Sequence, residues 1–307
     1  MDYLLSVQNL SKKYGNQFAI NNISLNLKKG EIYGLIGKNG AGKTTLLKII
    51  AGLVKPSDGD VALFDYSGAS RKKVLSRIGT LIEAPGLYSN LTAYDNLKLK
   101  CLCLGINDPK YIGSILEIVG LEGESNKKVK QYSLGMKQRL GIAMALVGEP
   151  DLLLLDEPIN GLDPQGIKDV RDIVLKLNKE LGITMIISSH ILDELLKIVD
   201  RFGIINDGRL LKEISKAELK EICCNHIEIK IEEPKKAIVV LDKLGFNNYK
   251  VIDNHTINIY ERLNDSGLIS MELYKNNISI NSISIESISI EDYFIHLTGG
   301  NIDEQFN

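Results

Sequence analysis

The 307-residue sequence predicts an α/β fold built on a mixed sheet with an antiparallel β flank, followed by a small α+β domain. Two short, continuously apolar runs, residues 152–155 and 183–187, are typical of parallel strands buried on both faces. Residues 164–181 between them have a helical pattern, which completes a βαβ crossover. A glycine-rich loop at residues 37–44 follows the apolar stretch 32–36 and precedes a helix. Strand, loop and helix in this order are typical of an open α/β sheet.

The remaining elements of the first part follow from local signals. Residues 4–7, 18–27 and 31–36 alternate short β-like runs with turns, which predicts the antiparallel flank. The 164–181 helix opens with proline and closes near a glycine, the usual punctuation of helix ends. Residues 202–211 contain an Asp-Gly pair between two apolar runs and predict a hairpin.

Composition changes near Ser215, and we predict two domains, residues 1–214 and 215–307. The second part has the order βαββαβ with a trailing helix, which predicts a small ferredoxin-like domain. Its predicted elements are strands 226–231, 249–252, 256–260 and 278–285, and helices 234–244, 265–275 and 291–297. Isoleucine and serine alternate after residue 278, and this period of two favours a strand over a low-complexity segment.

Composition excludes several classes of protein. Charged residues make up 25% of the chain and the net charge is −2, which favours a globular protein without general attraction to nucleic acid. No apolar run approaches the roughly 18–20 residues that cross a bilayer. The first residues lack a secretion signal, so we expect a cytoplasmic chain. The four cysteines match no zinc spacing and are interpreted as buried thiols: Cys101, Cys103, Cys223 and Cys224.

The glycine-rich loop, here called the phosphate loop (residues 37–44), has the spacing of a triphosphate-binding motif. Its glycines let backbone N–H groups turn inward, and the helix that follows directs its positive dipole end into the same space. Lys43 is placed to meet the β- and γ-phosphates, and the Thr44 hydroxyl to bind Mg²⁺. The predicted nucleotide-binding residues of this segment are Gly37, Asn39, Gly40, Ala41, Gly42, Lys43, Thr44 and Thr45.

Two carboxylates, Asp156 and Glu157, follow the apolar run at 152–155. The carboxyl ends of parallel strands lie at the edge of the sheet where ligands bind. Asp156 can therefore hold Mg²⁺ through water, and Glu157 can polarise the attacking water. Taken alone, this pair also fits a solvated acidic loop.

A third motif lies between the other two, at residues 132–139. Ser133 fits a helix N-cap, and Gly135 exposes a backbone N–H, so the turn offers a second anion site. With this motif the chain resembles the ATP-binding subunit of ABC transporters, although Leu134 and Met136 depart from the family's signature. Alone, the motif also fits an ordinary capped helix. The resemblance implies that Ser133 and Gly135 bind the γ-phosphate held by an opposite copy, in a head-to-tail homodimer.

Three further residues match the family by position. Asp163 closes a loop, residues 160–163, that resembles the one crossing the family's dimer interface. His190, at the end of a strand, resembles the switch histidine that contacts the γ-phosphate. Tyr14 lies where the family stacks an aromatic ring on adenine; it also fits a plain hairpin aromatic.

Glu83 is the most informative departure, because the family usually has a glutamine there that touches Mg²⁺. A carboxylate should hold the metal more strongly and bring negative charge toward the γ-phosphate. With Glu83, this signature and the C-terminal extension, the chain resembles the subgroup that exports bacitracin-type and lantibiotic peptides for resistance or self-immunity.

The resemblance implies an ATPase that uses ATP and Mg²⁺ to drive a separately encoded membrane permease from the inner face of the membrane. We expect a helical insert at about 88–150, of which residues 88–123 receive the permease. The alternatives are a soluble ATPase of the same fold acting on DNA or ribosomes, a transporter ATPase for another substrate, and a nucleotide-binding module without turnover. The single phosphate loop and the absence of a basic tail argue against the first, and Glu157 against the last.

Overall fold

The computed structural model describes residues 3–124, 126–223, 225–286 and 290–298. Two compact units make up the chain, Met1–Lys216 and Ala217–Asn307. Within the described residues, no helix is both long and apolar enough to cross a bilayer. Among the same residues, no cluster of histidine, cysteine, aspartate and glutamate side chains could hold a metal ion by itself.

The strands of the first unit are, in chain order, β1 (Tyr3–Tyr14), β2 (Gln17–Lys28), β3 (Ile32–Ile36), β4 (Asp58–Leu63), β5 (Ile78–Leu81), β6 (Leu152–Asp156), β7 (Thr184–Ser189), β8 (Arg201–Asn206) and β9 (Arg209–Ser215). Its α-helices are α1 (Lys43–Ile50), α2 (Ala93–Cys103), α3 (Pro109–Ile118), α4 (Leu134–Leu146), α5 (Pro164–Leu181) and α6 (Leu192–Leu196). A helix α7 (Lys216–Ile222) follows β9.

Six of these strands form a mixed sheet in the order β5-β6-β7-β3-β8-β9. All neighbours pair in parallel except β8 and β9, which form an antiparallel hairpin. The hairpin turn has φ of 45° at Asp207 and 73° at Gly208, the left-handed pair that a tight two-residue turn requires. A second, antiparallel sheet has the order β2-β1-β4. The predicted mixed sheet with an antiparallel flank is confirmed.

The central strands are buried on both faces. Every residue of β3, β6 and β7 is buried, which explains why these segments are continuous apolar runs rather than alternating patterns. Helix α5 begins and ends as predicted: Asp163 caps it, Pro164 is its first residue, and Gly182 ends it in the left-handed conformation with φ of 66°.

Helices α2, α3 and α4 pack on one another and form the helical insert. The Thr92 side chain and Asp95 form a reciprocal capping box at the start of α2, and Asp108 caps α3. Helix α4 begins at Leu134, with Ser133 as the predicted N-cap: its hydroxyl accepts a hydrogen bond from the Met136 N–H at 3.2 Å.

A partly buried polar network surrounds Tyr33 of β3, the strand that leads to the phosphate loop. The Tyr33 hydroxyl donates to Glu213 Oε1 at 2.9 Å, and Arg201 donates to the same oxygen at 2.9 Å. Arg201 also donates to Glu31 at 2.8 Å and to the Asn26 carbonyl. Burial, together with the nearby Glu213 carboxylate, raises the pKa of Tyr33 well above its ordinary value.

The second unit contains the strands β10 (His226–Ile231), β11 (Tyr249–Val251), β12 (Thr256–Ile259) and β13 (Ile280–Glu286), and the helices α8 (Pro234–Lys243), α9 (Ser266–Lys275) and α10 (Ile290–Leu297). The sheet is antiparallel throughout, in the order β11-β12-β10-β13. Numbered within the unit, this is the order 2-3-1-4, which together with the βαββαβ chain order confirms the predicted ferredoxin-like fold.

Alternation explains the core of this second unit. Ile227, Ile229 and Ile231 of β10 are fully buried and contribute to an apolar cluster with α8 and α9 residues such as Leu241 and Leu273. The Ile/Ser alternation of β13 is a strand, as predicted; residues 287–289, which continue the pattern, lie outside the described residues.

The cysteine interpretation is wrong in part. Cys101 is buried, but Cys103 is exposed because residues two apart on α2 point to different faces, and Cys223 is only partly buried. Cys224 lies outside the described residues.

Candidate nucleotide site

The phosphate loop connects β3 to α1, with Gly42 as the helix N-cap at φ of 109°. A Cβ atom on Gly42 would lie 2.5 Å from the Ala19 carbonyl oxygen, and one on Gly37 would lie 2.5 Å from the Ile205 carbonyl oxygen. Only glycine fits at these two positions, because the backbones of β2 and β8 pack directly against the loop.

Hydrogen bonds also hold the loop from the side. The N–H of Gly208, in the β8–β9 turn, donates to the Ala41 carbonyl at 3.0 Å, and the Gly208 carbonyl accepts from the Asn21 N–H at 2.7 Å. The turn therefore links the phosphate loop to β2. The sequence did not indicate this role for Gly208, because the Asp-Gly pair predicts a turn but not that the turn contacts the phosphate loop.

The loop, the first turn of α1 and a glutamate at the end of β6 enclose one cavity. Its lining residues are Ala19, Lys38, Asn39, Gly40, Ala41, Gly42, Lys43, Thr44, Thr45 and Glu157. Sequence reasoning predicted all of these except Ala19 and Lys38. Because the N-terminus of α1 opens into the cavity, its positive dipole end favours an anion there.

Lys43 is 5% exposed, and its ammonium turns back over the loop. Its Nζ donates to the Gly37 carbonyl at 2.5 Å and to the Lys38 carbonyl at 3.4 Å. The same nitrogen lies 3.1 Å from Glu157 Oε1 in an ion pair. Carbonyl oxygens and one carboxylate thus fix a buried positive charge at the wall of the cavity.

Asp156 ends β6 and is buried between two hydroxyl groups. The Thr44 hydroxyl donates to Asp156 Oδ2 at 2.7 Å, and the Ser188 hydroxyl donates to Oδ1 at 2.6 Å. Ser188 also accepts the Glu157 N–H at 2.9 Å, so it positions both carboxylate residues. Sequence reasoning missed Ser188, since a serine inside an apolar strand gives no signal before its neighbour strand is known.

Glu157 lies directly after β6 with φ of 49°, a left-handed conformation that is uncommon outside glycine. One carboxylate oxygen, Oε2, is 2.8 Å from Nδ1 of His190, which follows the end of β7. The other, Oε1, is buried 3.1 Å from Lys43 Nζ and, among the described residues, has no further polar partner. Glu157 is therefore oriented from two sides, by His190 at one oxygen and by Lys43 at the other.

Glu83 follows β5, also with a positive φ of 63°, and its carboxylate bonds to Lys48 of α1 at 2.6 Å. Hydrogen bonding to Glu83 raises the pKa of Lys48 above its ordinary value. Glu83 does not line the cavity described above, within the residues that the structure describes. The structure thus gives this carboxylate a lysine partner that the sequence did not indicate.

The turn at Ser133 and Gly135, here called the second anion turn, and the 160–163 loop lie elsewhere on the unit. Neither contributes to the cavity lining in the described part of the chain. Ser133 caps α4, and Asp163 caps α5 by accepting the Gly166 N–H at 3.1 Å. The two segments are neighbours, because a Cβ on Gly161 would lie 3.3 Å from a methyl group of Leu134. A Cβ on Gly135 would meet nothing closer than 3.8 Å.

Tyr14 ends β1 and is 54% exposed. The Lys12 ammonium lies 5.1 Å from the centre of its ring, within cation–π range. The ring is thus partly exposed at the hairpin tip, with Lys12 over one face.

Comparisons with known proteins agree with this geometry. Residues 20–160 match the sequence profile of the ABC transporter family. The bacitracin transport ATP-binding protein BcrA of Bacillus licheniformis is 42% identical over 302 residues, covering 98% of this chain and 99% of that protein. The lantibiotic transport ATP-binding protein SrtF of Streptococcus pyogenes is 46% identical over 227 residues, covering 73% of this chain and 97% of that protein.

A solved structure shares the fold of the first unit. The dimeric, post-hydrolysis state of the ATP-binding cassette MJ0796, bound to ADP and Pi, superposes with a TM-score of 0.62 at 29% identity, covering 69% of this chain and 98% of that one. The predicted resemblance is confirmed. The chain belongs to the ABC transporter family, as an ATP-hydrolysing, ATP-binding subunit.

Proposed function

We propose that two copies of this chain, paired head to tail, hydrolyse MgATP and drive a separate membrane permease that exports a peptide antibiotic of the bacitracin or lantibiotic type. The position of Glu157 beside the phosphate loop is the observation that supports ATP hydrolysis. His190 holds one oxygen of its carboxylate and Lys43 the other, and Oε1 has no polar partner besides Lys43 among the described residues. A buried acceptor in this position fits a water molecule about to attack a phosphate.

The oxygen atoms near Thr44 are suitable ligands for Mg²⁺. The Thr44 hydroxyl and the Asp156 carboxylate are hard oxygen ligands and already lie 2.7 Å apart. These two residues would hold the ion, with Glu83 as a further ligand in our proposal. Bound Mg²⁺ would neutralise charge on the phosphate oxygens.

Each residue of the site then has a defined task. Lys43 and the loop amides bind the β- and γ-phosphates in the field of the α1 dipole. Glu157 accepts a proton from water and orients it in line with the bond that breaks. His190 holds the Glu157 carboxylate and contacts the γ-phosphate, while Tyr14 stacks on adenine. The remaining loop residues shape the cradle: Gly37, Asn39, Gly40, Ala41, Gly42 and Thr45.

The pairing of two copies explains the separated second anion turn. Ser133 and Gly135 start a 13-residue helix whose N-terminus is as suited to phosphate as that of α1. In a head-to-tail dimer each turn covers the nucleotide of the other copy, and the loop that ends at Asp163 crosses the interface. The MJ0796 cassette, a dimer bound to ADP and Pi, supports the pairing of two copies.

The bacitracin part of the substrate proposal is supported by BcrA, which matches 98% of this chain, C-terminal unit included. The lantibiotic part is supported by SrtF, which matches 73% of it. We therefore place the chain on the inner face of the membrane, bound to its permease, with residues 88–123 as the contact. The domain division in this proposal is an ATP-binding domain, 1–214, and an accessory domain, 215–307.

A resistance assay tests the substrate. The gene is expressed with its neighbouring permease genes in a sensitive bacterium, and growth inhibition by bacitracin and by a lantibiotic is measured. We expect a several-fold rise in tolerance for one of them, absent with Lys43→Ala. Equal tolerance with the wild type and Lys43→Ala contradicts export. ATPase activity stimulated by DNA or ribosomes, but not by permease vesicles, supports the soluble alternative instead.

A further inference from the structure

Two neighbouring strands of the sheet end in the same way. β5 and β6 pair in parallel, with Leu81 opposite Leu155. Two residues after each of these leucines stands a glutamate with positive φ, Glu83 at 63° and Glu157 at 49°. This conformation is uncommon for residues other than glycine. Both glutamates therefore leave their strands with the same backbone turn, at one edge of the sheet.

Each glutamate binds a lysine from the same stretch of chain. Glu157 pairs with Lys43 at 3.1 Å, and Glu83 pairs with Lys48 at 2.6 Å. The two pairs differ in burial. In the first, the side chains are 6% and 20% exposed, whereas in the second Lys48 is 29% and Glu83 is 64% exposed. An exposed ion pair contributes little stability, so the second pair can open at small cost.

Lys48 is close to the metal-binding oxygens of our proposed function. It lies one helical turn after Thr44 on α1, on the same face. The Thr44 hydroxyl in turn donates to Asp156 Oδ2 at 2.7 Å. The Glu83 carboxylate is therefore held by a lysine that neighbours the Thr44–Asp156 pair.

The segment that carries Glu83 also forms one wall of a groove. Ile82, Ala84, Pro85, Gly86 and Leu87 line it together with Lys100 and Met144 of the helical insert, among other residues. Movement of the Glu83 backbone would change the shape of this groove.

We propose that Lys48 is a positioning residue for Glu83: its ammonium holds the carboxylate in the nucleotide-free chain and releases it toward Thr44 and Asp156 when MgATP binds. The release lets residues 82–88 adopt a second conformation. The inference rests on the proposed function, in which Glu83 faces the metal. It adds a specific resting partner and a movement of the groove wall.

Hydrogen exchange on the full chain without nucleotide tests the resting contact. In Lys48→Gln, we expect the amides of residues 82–88 to exchange at least about threefold faster, because the ion pair is lost. Lys48→Arg and the control Lys72→Gln, an exposed lysine of the same unit, should match the wild type. Raising salt from about 0.05 M to about 0.5 M should accelerate exchange in the wild type and not in Lys48→Gln. Wild-type exchange in Lys48→Gln overturns the proposal.

A Mg²⁺ titration distinguishes failure of this proposal from failure of the proposed function, in which Glu83 binds the metal. The binding of a fluorescent ATP analogue is measured at each Mg²⁺ concentration. Lys48→Gln should lower the Mg²⁺ concentration at half-saturation several-fold, because no lysine competes for Glu83. Glu83→Gln should raise it, and the double variant should behave like Glu83→Gln. If Glu83→Gln leaves the titration unchanged while Lys48→Gln still loosens residues 82–88, the metal role of Glu83 is wrong and the resting contact stands.

Discussion

Glu157 and His190 lie 2.8 Å apart across the ends of two adjacent parallel strands, β6 and β7. Asp156 pairs in register with Ser188, so the residues that follow each strand emerge side by side. The contact is therefore a consequence of strand pairing, although 33 residues separate the two side chains in the chain. It orients the carboxylate that we propose as the catalytic base.

Replacing Glu157 by glutamine tests that role. The amide keeps the size of the side chain but cannot accept a proton, so ATP binding should remain while hydrolysis falls by about 100-fold or more. The variant should also accumulate as an ATP-bound dimer, detected by light scattering alongside phosphate release. Glu149→Gln, which changes an exposed glutamate with φ of 53°, is the matched control. Unchanged turnover in Glu157→Gln would refute the assignment.

Lys43→Ala removes the ammonium that the Gly37 and Lys38 carbonyls position at the cavity wall. Charge-assisted hydrogen bonds to the phosphates are lost, so the affinity for ATP should fall by about 100-fold or more. Calorimetric titration measures it. Lys38→Ala, which alters an exposed lysine on the same cavity, should retain most of the affinity. An intact affinity in Lys43→Ala contradicts the proposed contact.

Ser188→Ala leaves the buried Asp156 Oδ1 without its donor at 2.6 Å. We expect a loss of about 1–3 kcal/mol in the free energy of unfolding and slower hydrolysis, since Asp156 and Glu157 are both less fixed. Urea unfolding and phosphate release measure the two effects. Ser189→Ala is the control, because in the described part of the chain the Ser189 hydroxyl accepts the Ile191 N–H and makes no hydrogen bond to Asp156 or Glu157. Equal hydrolysis by both variants would rule out a positioning role for Ser188.

Stability at alkaline pH should depend on Tyr33. Burial raises its folded-state pKa above the unfolded value of about 10, so the folded chain keeps the proton longer. This contribution to stability is complete below about pH 10 and is lost as the pH rises toward the higher folded value. Tyr33→Phe should be less stable by about 1 kcal/mol near neutral pH, because Glu213 loses a donor, and the gap should narrow above pH 10. Urea unfolding across this range measures it; a gap independent of pH contradicts the explanation.

Local sequence signals predicted much of the first unit. Helix α5 was predicted with its observed ends because Pro164 and Gly182 impose backbone conformations without help from distant residues. Strands β6 and β7 were predicted from apolar runs, since burial on both faces leaves that pattern, whereas β5 was not predicted. Lys43 and Thr44 were named from the spacing of the phosphate loop, Asp156 and Glu157 from their position after a strand, and His190 from the family resemblance. The structure places these five residues together.

The burial of Cys103 was misjudged, although helical spacing separates it from the buried face of α2, which includes Ala93, Leu97 and Cys101. Other features depend on contacts that no local pattern reveals. The pairing of Lys48 with Glu83 spans 35 residues, and the Ser188 hydroxyl reaches Asp156 across 32. Such pairs form only when the order and the register of the strands are set.

By itself, then, the sequence determined the strand–loop–helix cradle for phosphate and the order of elements in the second unit, through backbone preferences and hydrophobic periodicity that act over a few residues. The candidate site residues were identified from motif spacing and from the family resemblance. Tertiary structure alone decided that the Gly208 turn closes the cradle and that Ser188 fixes two carboxylates. It also decided that Glu83 rests on Lys48, because side-chain partners are set by the parallel register of β5, β6 and β7.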